Sequence, residues 1–324
     1  MYKRLLILTT LISLLIAACG PAVMSTPDVV SVSLPMGYIP DPQYAPYYVA
    51  VKKGYFEEAG FDVQFDYSFE TDGMALVAAG ERPFAIVGGE QVVLARAQEL
   101  PVVYVMEWFQ KYPIAIVSKS DAGIASPADL AGRNVGLPGF FGASYVGYVG
   151  LLSANNMTQD DVVANDIGFT QYEAVKTDQS EAAVVYANNE PVRLAQDGED
   201  VNVILVSDYI DMVANGIITN EALIADDPEM VERFVHALLQ GLADTLADPA
   251  EAFELSKSFV EGLEDSRMPV LEASLPMWSA THLGETDPTS WQTTADVLLS
   301  MGLLDAPAEN LEAAYTNQFV ETFE

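Results

Sequence analysis

Gly37-Tyr-Ile-Pro-Asp-Pro-Gln-Tyr-Ala-Pro-Tyr-Tyr-Val-Ala-Val-Lys-Lys-Gly-Tyr-Phe-Glu-Glu-Ala-Gly-Phe-Asp-Val63 is the stretch on which the fold is read. It begins where a strand ends. Val30, Val32 and Leu34 alternate with serines just before it, a period of two. A Pro-rich turn follows. Pro46 then sits where proline opens a helix, Val51 and Tyr55 fall one turn apart on one face, and Gly60 stops the segment. Val63, Phe65 and Tyr67 alternate again. Strand, turn, helix and strand in that order make a βαβ unit, with four tyrosines at its corner (Tyr38, Tyr44, Tyr47, Tyr48). That corner is expected to form one wall of a ligand cleft.

Outward from this unit the pattern repeats. Gly73–Ala79 and Gln91–Glu99 are expected as helices, and Phe84–Gly89 and Val102–Met106 as strands. The order predicts a parallel sheet with right-handed crossovers. A strand at Pro113–Ser118 leaves this first unit. Ser126 and Pro127 open a short helix. A second α/β set then runs through Asn134–Leu137, Ser144–Asn155, Val162–Phe169, Ala182–Tyr186 and Val203–Val206. Gly216–Thr219 is a returning strand. Helices are expected over 228–246, 249–260, 268–280, 288–301 and 308–319. The predicted organisation is two α/β lobes, 29–115 with 208–324 as the first and 116–207 inserted as the second, with a helical C-terminal segment packing back.

Bulk composition narrows the function. With 324 residues and 50% hydrophobic side chains the chain can bury a large core. Only 14 Lys and Arg oppose 47 Asp and Glu, for a net charge of -33, which argues against nucleic acid as a partner because phosphate contacts need cations. The acidity itself reads as a solvated surface. At the N-terminus Lys3 and Arg4 precede an apolar run, Leu5–Ile16, too short to span a bilayer. Ile16-Ala17-Ala18-Cys19 resembles a lipobox. Residues 1–18 are therefore expected to be a lipoprotein signal peptide, Cys19 the lipidated residue, and 19–28 a flexible tether, placing the protein on the extracytoplasmic face of the membrane. Cys19 is the single cysteine, so disulfides and thiol catalysis are not expected.

Ligands of open α/β sheets bind beyond the carboxyl ends of the strands. The loops there carry Tyr38, Gln43, Tyr44 and Tyr48, then Glu90, Trp108, Phe140, Phe141 and Ser144, and later Tyr186, Asn188, Asn189 and Glu190. Aromatic faces stack on flat π-systems, and amide and carboxylate groups read a heterocycle's edge. The set suits a planar heteroaromatic ligand that is neutral or weakly basic. Each residue also has a plain packing role open to it: the tyrosines and Trp108 as core, Glu90 beside a helix N-terminus, Asn188-Asn189-Glu190-Pro191 as a turn.

Catalytic patterns are thin. His236 and His282 fall on helices, and there is no HExxH, CxxC or nucleophile elbow. Gly136-Leu-Pro-Gly-Phe-Phe-Gly lacks the Lys-Ser/Thr of a phosphate loop. Asp160-Asp161 and Asp226-Asp227 mark helix starts. No metal, cofactor or enzymatic activity is expected.

The quoted turn and helix, together with Phe84-Ala-Ile-Val, Gly123-Ile-Ala-Ser-Pro-Ala-Asp-Leu-Ala-Gly-Arg-Asn-Val-Gly and Asn188-Asn-Glu-Pro, resemble the ABC-importer solute-binding proteins of the thiamine-pyrimidine and alkanesulfonate type. That resemblance implies a type II periplasmic-binding-protein fold, a hinge, closure on ligand, and an ABC permease and ATPase as partners. Tyr67-Ser-Phe-Glu-Thr-Asp-Gly, Gly89-Glu-Gln-Val-Val-Leu-Ala-Arg-Ala-Gln and Val102-Val-Tyr-Val-Met-Glu-Trp-Phe are similar to the riboflavin-binding branch of that family. The thiamine-precursor branch more often has Asn-His where this chain has Pro42-Gln43-Tyr44, and a sulfonate ligand would want a basic pocket. A flavin is the expected ligand, with a thiamine pyrimidine precursor as the alternative. A secreted enzyme on the same fold is the more distant reading.

Overall fold

The computed structural model describes residues 29–323. The expected signal peptide, Cys19 and the tether lie outside them. Strand β1 (Val30–Gly37) leads through one 3-10 turn, Pro42–Tyr44, into α1 (Ala45–Lys52), and α2 (Tyr55–Glu58) follows. Gly54 adopts a left-handed conformation between the two helices, so the predicted single helix is broken there. Then come β2 (Phe61–Phe69), α3 (Glu70–Ala78), β3 (Ala85–Gly88), α4 (Gly89–Ala97) and β4 (Val102–Glu107). The second lobe supplies β5 (Ile114–Lys119), β6 (Asn134–Leu137), α5 (Gly142–Ala154), β7 (Val163–Asp166), α6 (Gln171–Lys176), β8 (Ala182–Tyr186), α7 (Glu190–Gln196) and β9 (Val201–Leu205). The chain returns with β10 (Asn215–Asn220) and continues through α8 (Glu221–Asp226), α9 (Pro228–Ala247), α10 (Pro249–Ser256), α11 (Met268–Trp278) and α12 (Pro288–Ser300).

The sheets are mixed, which corrects the all-parallel expectation. β1 and β2 pair in parallel. β10 inserts between β3 and β4 and runs antiparallel to both. The second sheet has the order β7-β6-β8-β5-β9, parallel from β7 to β8 and antiparallel at both edges of β5. The connections into β10 and β5 come from the other lobe. They need no helical crossover, so the rule that makes βαβ units parallel does not bind them.

The long C-terminal helix α9 starts at Asp227, whose side chain accepts from the Met230 amide. Its buried face carries Val231, Phe234, Val235, Leu238, Leu239 and Leu242, at the spacing of one helical stripe. Phe234 stacks on Phe84 with ring centroids 3.9 Å apart, which locks the helix to the strand region of the first lobe.

The expected helix over 308–319 does not form. Asn310 sits in a left-handed conformation, and one 3-10 turn, Leu311–Ala313, is all the helix there. The segment's backbone is used instead by β4: Tyr104 donates to Ala314 O and accepts from the Thr316 amide.

Two crossing segments join the lobes, 108–113 and 206–214. The amides of Trp108 and Phe109 both donate to Asn215 O, so the first segment is tied to the end of the second. Met277 O in α11 accepts from the Gln110 amide, and Thr294 Oγ1 in α12 accepts from the Val213 amide. The C-terminal helices therefore brace both crossings.

Candidate ligand-binding cleft

Between the lobes lies a cavity of about 460 Å³, within the ~300–1,000 Å³ range typical of small-molecule pockets. The β1–α1 corner gives Met36 to Tyr38, Gln43 and Tyr44. Phe69 and Glu70 come from the β2–α3 junction, and Trp108 and Phe109 from the first crossing. The second lobe adds Phe141 to Ser144 at the start of α5, Phe169, Gln171, Tyr186, Asn189 and Glu190.

Nine residues singled out from the sequence meet at this wall: Tyr38, Gln43, Tyr44, Trp108, Phe141, Ser144, Tyr186, Asn189 and Glu190. Four others sit behind or beside it. Tyr48 stacks face to face on Phe259, 4.6 Å between centroids, and shares a hydrogen bond with Tyr67. Asn188 is fully buried and donates to Ser274 Oγ in α11 at 2.7 Å. Phe140 turns to the Tyr145 ring at 5.5 Å. Glu90 is buried under the floor, with its carboxyl against Gly88: a Cβ at position 88 would lie 2.2 Å from Glu90 Oε2.

The aromatic wall is built in layers. Tyr44 is positioned by its own hydroxyl, which donates to Met36 O at 2.8 Å. Its ring stacks on Trp108 at 5.3 Å, and Trp108 stacks in turn on Trp278 at 5.8 Å, with Tyr47 and Phe109 packed around the indole. From the second lobe, Phe141 folds back over Gly139, where a Cβ would meet its ring at 2.2 Å. Phe69, Phe141 and Phe169 are each about 60% exposed, at 63%, 63% and 60%, which is unusual for phenylalanine and places three apolar rings at the cavity mouth. Tyr38 reaches Phe169 across the cleft, 6.2 Å between centroids.

The polar groups are mostly acceptors. Gln43 Oε1, Asn189 Oδ1 and Glu190 Oε2 are buried and have no hydrogen-bond partner among the described residues. A buried polar atom left unpaired costs about 1–3 kcal/mol, so this wall is adapted to donors. Glu70 completes it. Its Oε2 accepts from the Gly88 amide at 3.1 Å and Gln91 Nε2 at 2.5 Å, and its Oε1 accepts from Asn215 Nδ2 at 2.8 Å. Tyr186 donates to Asn215 Oδ1 at 3.2 Å, extending the chain of contacts into the second lobe.

Burial raises the pKa values of the acids around the cleft. Desolvation pushes Glu190 up to about 7, against the opposing pull of its own backbone amide and Arg193. It pushes Tyr38 up to about 12, helped by Glu190 and Asp41. Desolvation raises both Glu70 and Glu90, and Glu70's charge raises Glu90 further. Asp41 is raised by burial despite its 2.8 Å pair with Arg267. No group of His, Cys, Asp or Glu among the described residues is arranged to hold a metal ion.

Glu70, Asn215, Phe69 and Phe169 are among the lining residues that sequence reasoning missed. Glu70 lies between the strand expected through Tyr67 and the helix expected from Gly73, and Asn215 lies just before the strand expected from Gly216. Only the insertion of β10 beside β3 brings the two together.

A sequence profile described as NMT1/THI5 like matches residues 41–252. The chain belongs to the NMT1/THI5-like family. A riboflavin-binding protein, RibY, of Chloroflexus aurantiacus is 43% identical, over 99% of this chain and 98% of that protein. A formylaminopyrimidine-binding protein of Halalkalibacterium halodurans is 26% identical, over 94% and 96%. Among solved structures, the periplasmic aliphatic sulphonate binding protein SsuA of Escherichia coli superposes with a TM-score of 0.74 over 90% of this chain and 99% of that one, at 13% identity. The NMT1/THI5-like chain thus has the periplasmic-binding-protein fold: two α/β lobes, a hinge and a helical C-terminal segment.

Proposed function

We propose that this protein captures riboflavin, or a close flavin, between its lobes and delivers it to the permease and ATPase of an ABC importer. Anchoring through a lipid on Cys19 at the extracytoplasmic face belongs to the same reading. The observation that carries it is the pairing of aromatic rings from both lobes with buried acceptor atoms that lack partners. A flat ring system with N–H and O–H donors satisfies both at once. Gln43, Asn189 and Glu190 accept from ring-edge and side-chain donors, and Tyr44 and Phe141 supply faces, with Trp108 stacked behind Tyr44. The 43% identity to a riboflavin-binding relative supports the same choice of ligand.

Trp108 makes the test direct. Titration with riboflavin is expected to quench tryptophan fluorescence at micromolar ligand. No quenching sinks the flavin assignment. The other reading, a thiamine pyrimidine precursor, is supported by the formylaminopyrimidine-binding relative, and competition of that pyrimidine against bound flavin separates the two. An enzymatic role finds little support: the wall has Ser144 but no His, Lys or Cys.

The two neighbouring phenylalanines give a further test. Phe141→Ala removes a ring from the wall and is expected to weaken flavin binding by about 1–3 kcal/mol, the usual cost of a lost stacking partner. Phe140→Ala, whose ring lies on Tyr145, should cost clearly less. Equal losses would mean that the loop before α5 takes another conformation around ligand.

A further inference from the structure

Two carboxyl groups, those of Glu70 and Glu190, line the cavity. Glu70 accepts three hydrogen bonds, from Gly88 N, Gln91 Nε2 and Asn215 Nδ2, and all three partners are donors. Burial raises Glu70 to about 7, and the donors on both oxygens oppose that shift by favouring the charged form. Glu190 opens α7, where the helix dipole also favours a negative charge. The lining includes no Lys or Arg. The two cations nearby are already engaged: Arg267 pairs with Asp41 at 2.8 Å, and Arg193 lies 4.4 Å over the Tyr172 ring. One feature favours an anion. The N-terminus of α5, at Gly142 to Ser144, faces the cavity. Its dipole amounts to roughly half a positive charge, against two carboxyl groups that are raised to about 7 and are charged above that pH.

We propose that Glu70 and Glu190 make the cavity a charge filter, which accepts the uncharged heterocycle and refuses the phosphate monoester of the same compound. This rests on the flavin reading for the compound, but not for the filter. A phosphate monoester carries about -1.5 to -2 charges near neutral pH. One charge pair about 6 Å apart at an effective dielectric near 20 corresponds to about 100-fold in affinity. The filter sets a place in a reaction sequence. Where the outside source is a phosphate ester, a phosphomonoester hydrolase must act first. Water attacks phosphorus, the bond between phosphorus and the alcohol oxygen breaks, and the alcohol and inorganic phosphate are released. Only the alcohol is then captured.

The test compares riboflavin, riboflavin 5′-phosphate and an uncharged 5′-acetyl ester by tryptophan quenching. At pH 8, where both carboxyls are mostly charged, the phosphate is expected to bind at least about 100-fold more weakly than riboflavin. The acetyl ester should stay within about tenfold of riboflavin, because it adds bulk without charge. A phosphate that binds within tenfold of riboflavin overturns the filter. So does an acetyl ester refused as strongly as the phosphate, since size would then set the limit. Glu70→Gln and Glu190→Gln should each narrow the phosphate-to-riboflavin ratio by about tenfold or more. An unchanged ratio in both removes these residues from the role. If melting shows that Glu70→Gln does not fold, Glu190→Gln carries the comparison. If riboflavin itself does not bind, the flavin reading falls alone, and the same ratio is read with hydroxymethylpyrimidine and its monophosphate.

Discussion

Trp108→Ala is expected to destabilise the folded protein by about 3–5 kcal/mol, the usual cost of truncating a buried tryptophan. Trp108 is 3% exposed and lies at the point where the first crossing leaves β4. Its indole fills the space between Tyr44 and Trp278, with Tyr47 and Phe109 against its edges. Those neighbours come from the first lobe, the crossing and the C-terminal helices, so no single element can move in to close the gap. The indole N–H has no partner among the described residues, which means the loss is one of packing and not of a hydrogen bond. Urea unfolding measures the loss. Trp108→Phe keeps a ring and should recover a large part of it. A loss below about 1 kcal/mol for Trp108→Ala would mean that the aromatic stack is loosely packed.

The second large effect is a dependence of stability on pH with an unusual sign. Glu107, buried and accepting from the Ala214 amide, is pushed up to about 8 by desolvation, and Glu190 to about 7. Glu90 is raised in the same direction, with neither carboxyl oxygen finding a partner among the described residues. A carboxyl whose folded pKa lies above its unfolded value of 4.5 keeps its proton longer in the folded chain. Below 4.5 both states are protonated and the folded state has its full stability. Between about 4.5 and 8 the unfolded chain releases the proton first, so stability falls as pH rises. Repulsion within the acidic surface acts in the same direction, and Glu90→Gln separates the two. This variant keeps the side chain's shape and removes its ionisation. It is expected to melt roughly 4–8 °C higher than the wild type at pH 8, corresponding to about 2 kcal/mol, with little difference near pH 5. Equal melting temperatures at pH 8 would show that the Glu90 carboxyl is relieved by structural rearrangement.

Much of this site could be read before the fold was known, because its pieces sit where strands end. The alternation before Met36, the Pro-rich turn and the glycines near Phe140 are local signals, and they place Tyr38, Gln43, Tyr44 and Phe141 correctly at loops. What could not be read is which loops face each other. Asn188 and Asn189 are adjacent and chemically identical, yet one is spent on Ser274 and the other lines the cavity. Tyr44 and Tyr48 are one helical turn apart, and Phe259, more than two hundred residues later in the chain, takes the face of Tyr48. The misread segment over 308–319 has helix-forming composition, but its backbone is claimed by β4. These outcomes are decided by partners distant in sequence, where local propensity is a weak guide.

The insertion of β10 between β3 and β4 also bears on how the chain reaches this state. Its two neighbours are both made more than a hundred residues before it. Until residues 215–220 arrive, β3 and β4 have no strand between them, and the first lobe remains an open set of hydrophobic edges. The second lobe is one continuous segment whose five strands pair only with one another. Long-range pairing closes late because the loop entropy must be met first. Assembly thus runs from the inserted lobe outward, and the flanks of the cleft are joined only when the returning strand docks. Any chain that is delivered N-terminus first keeps its first lobe without the strand between β3 and β4 until two thirds of it is available.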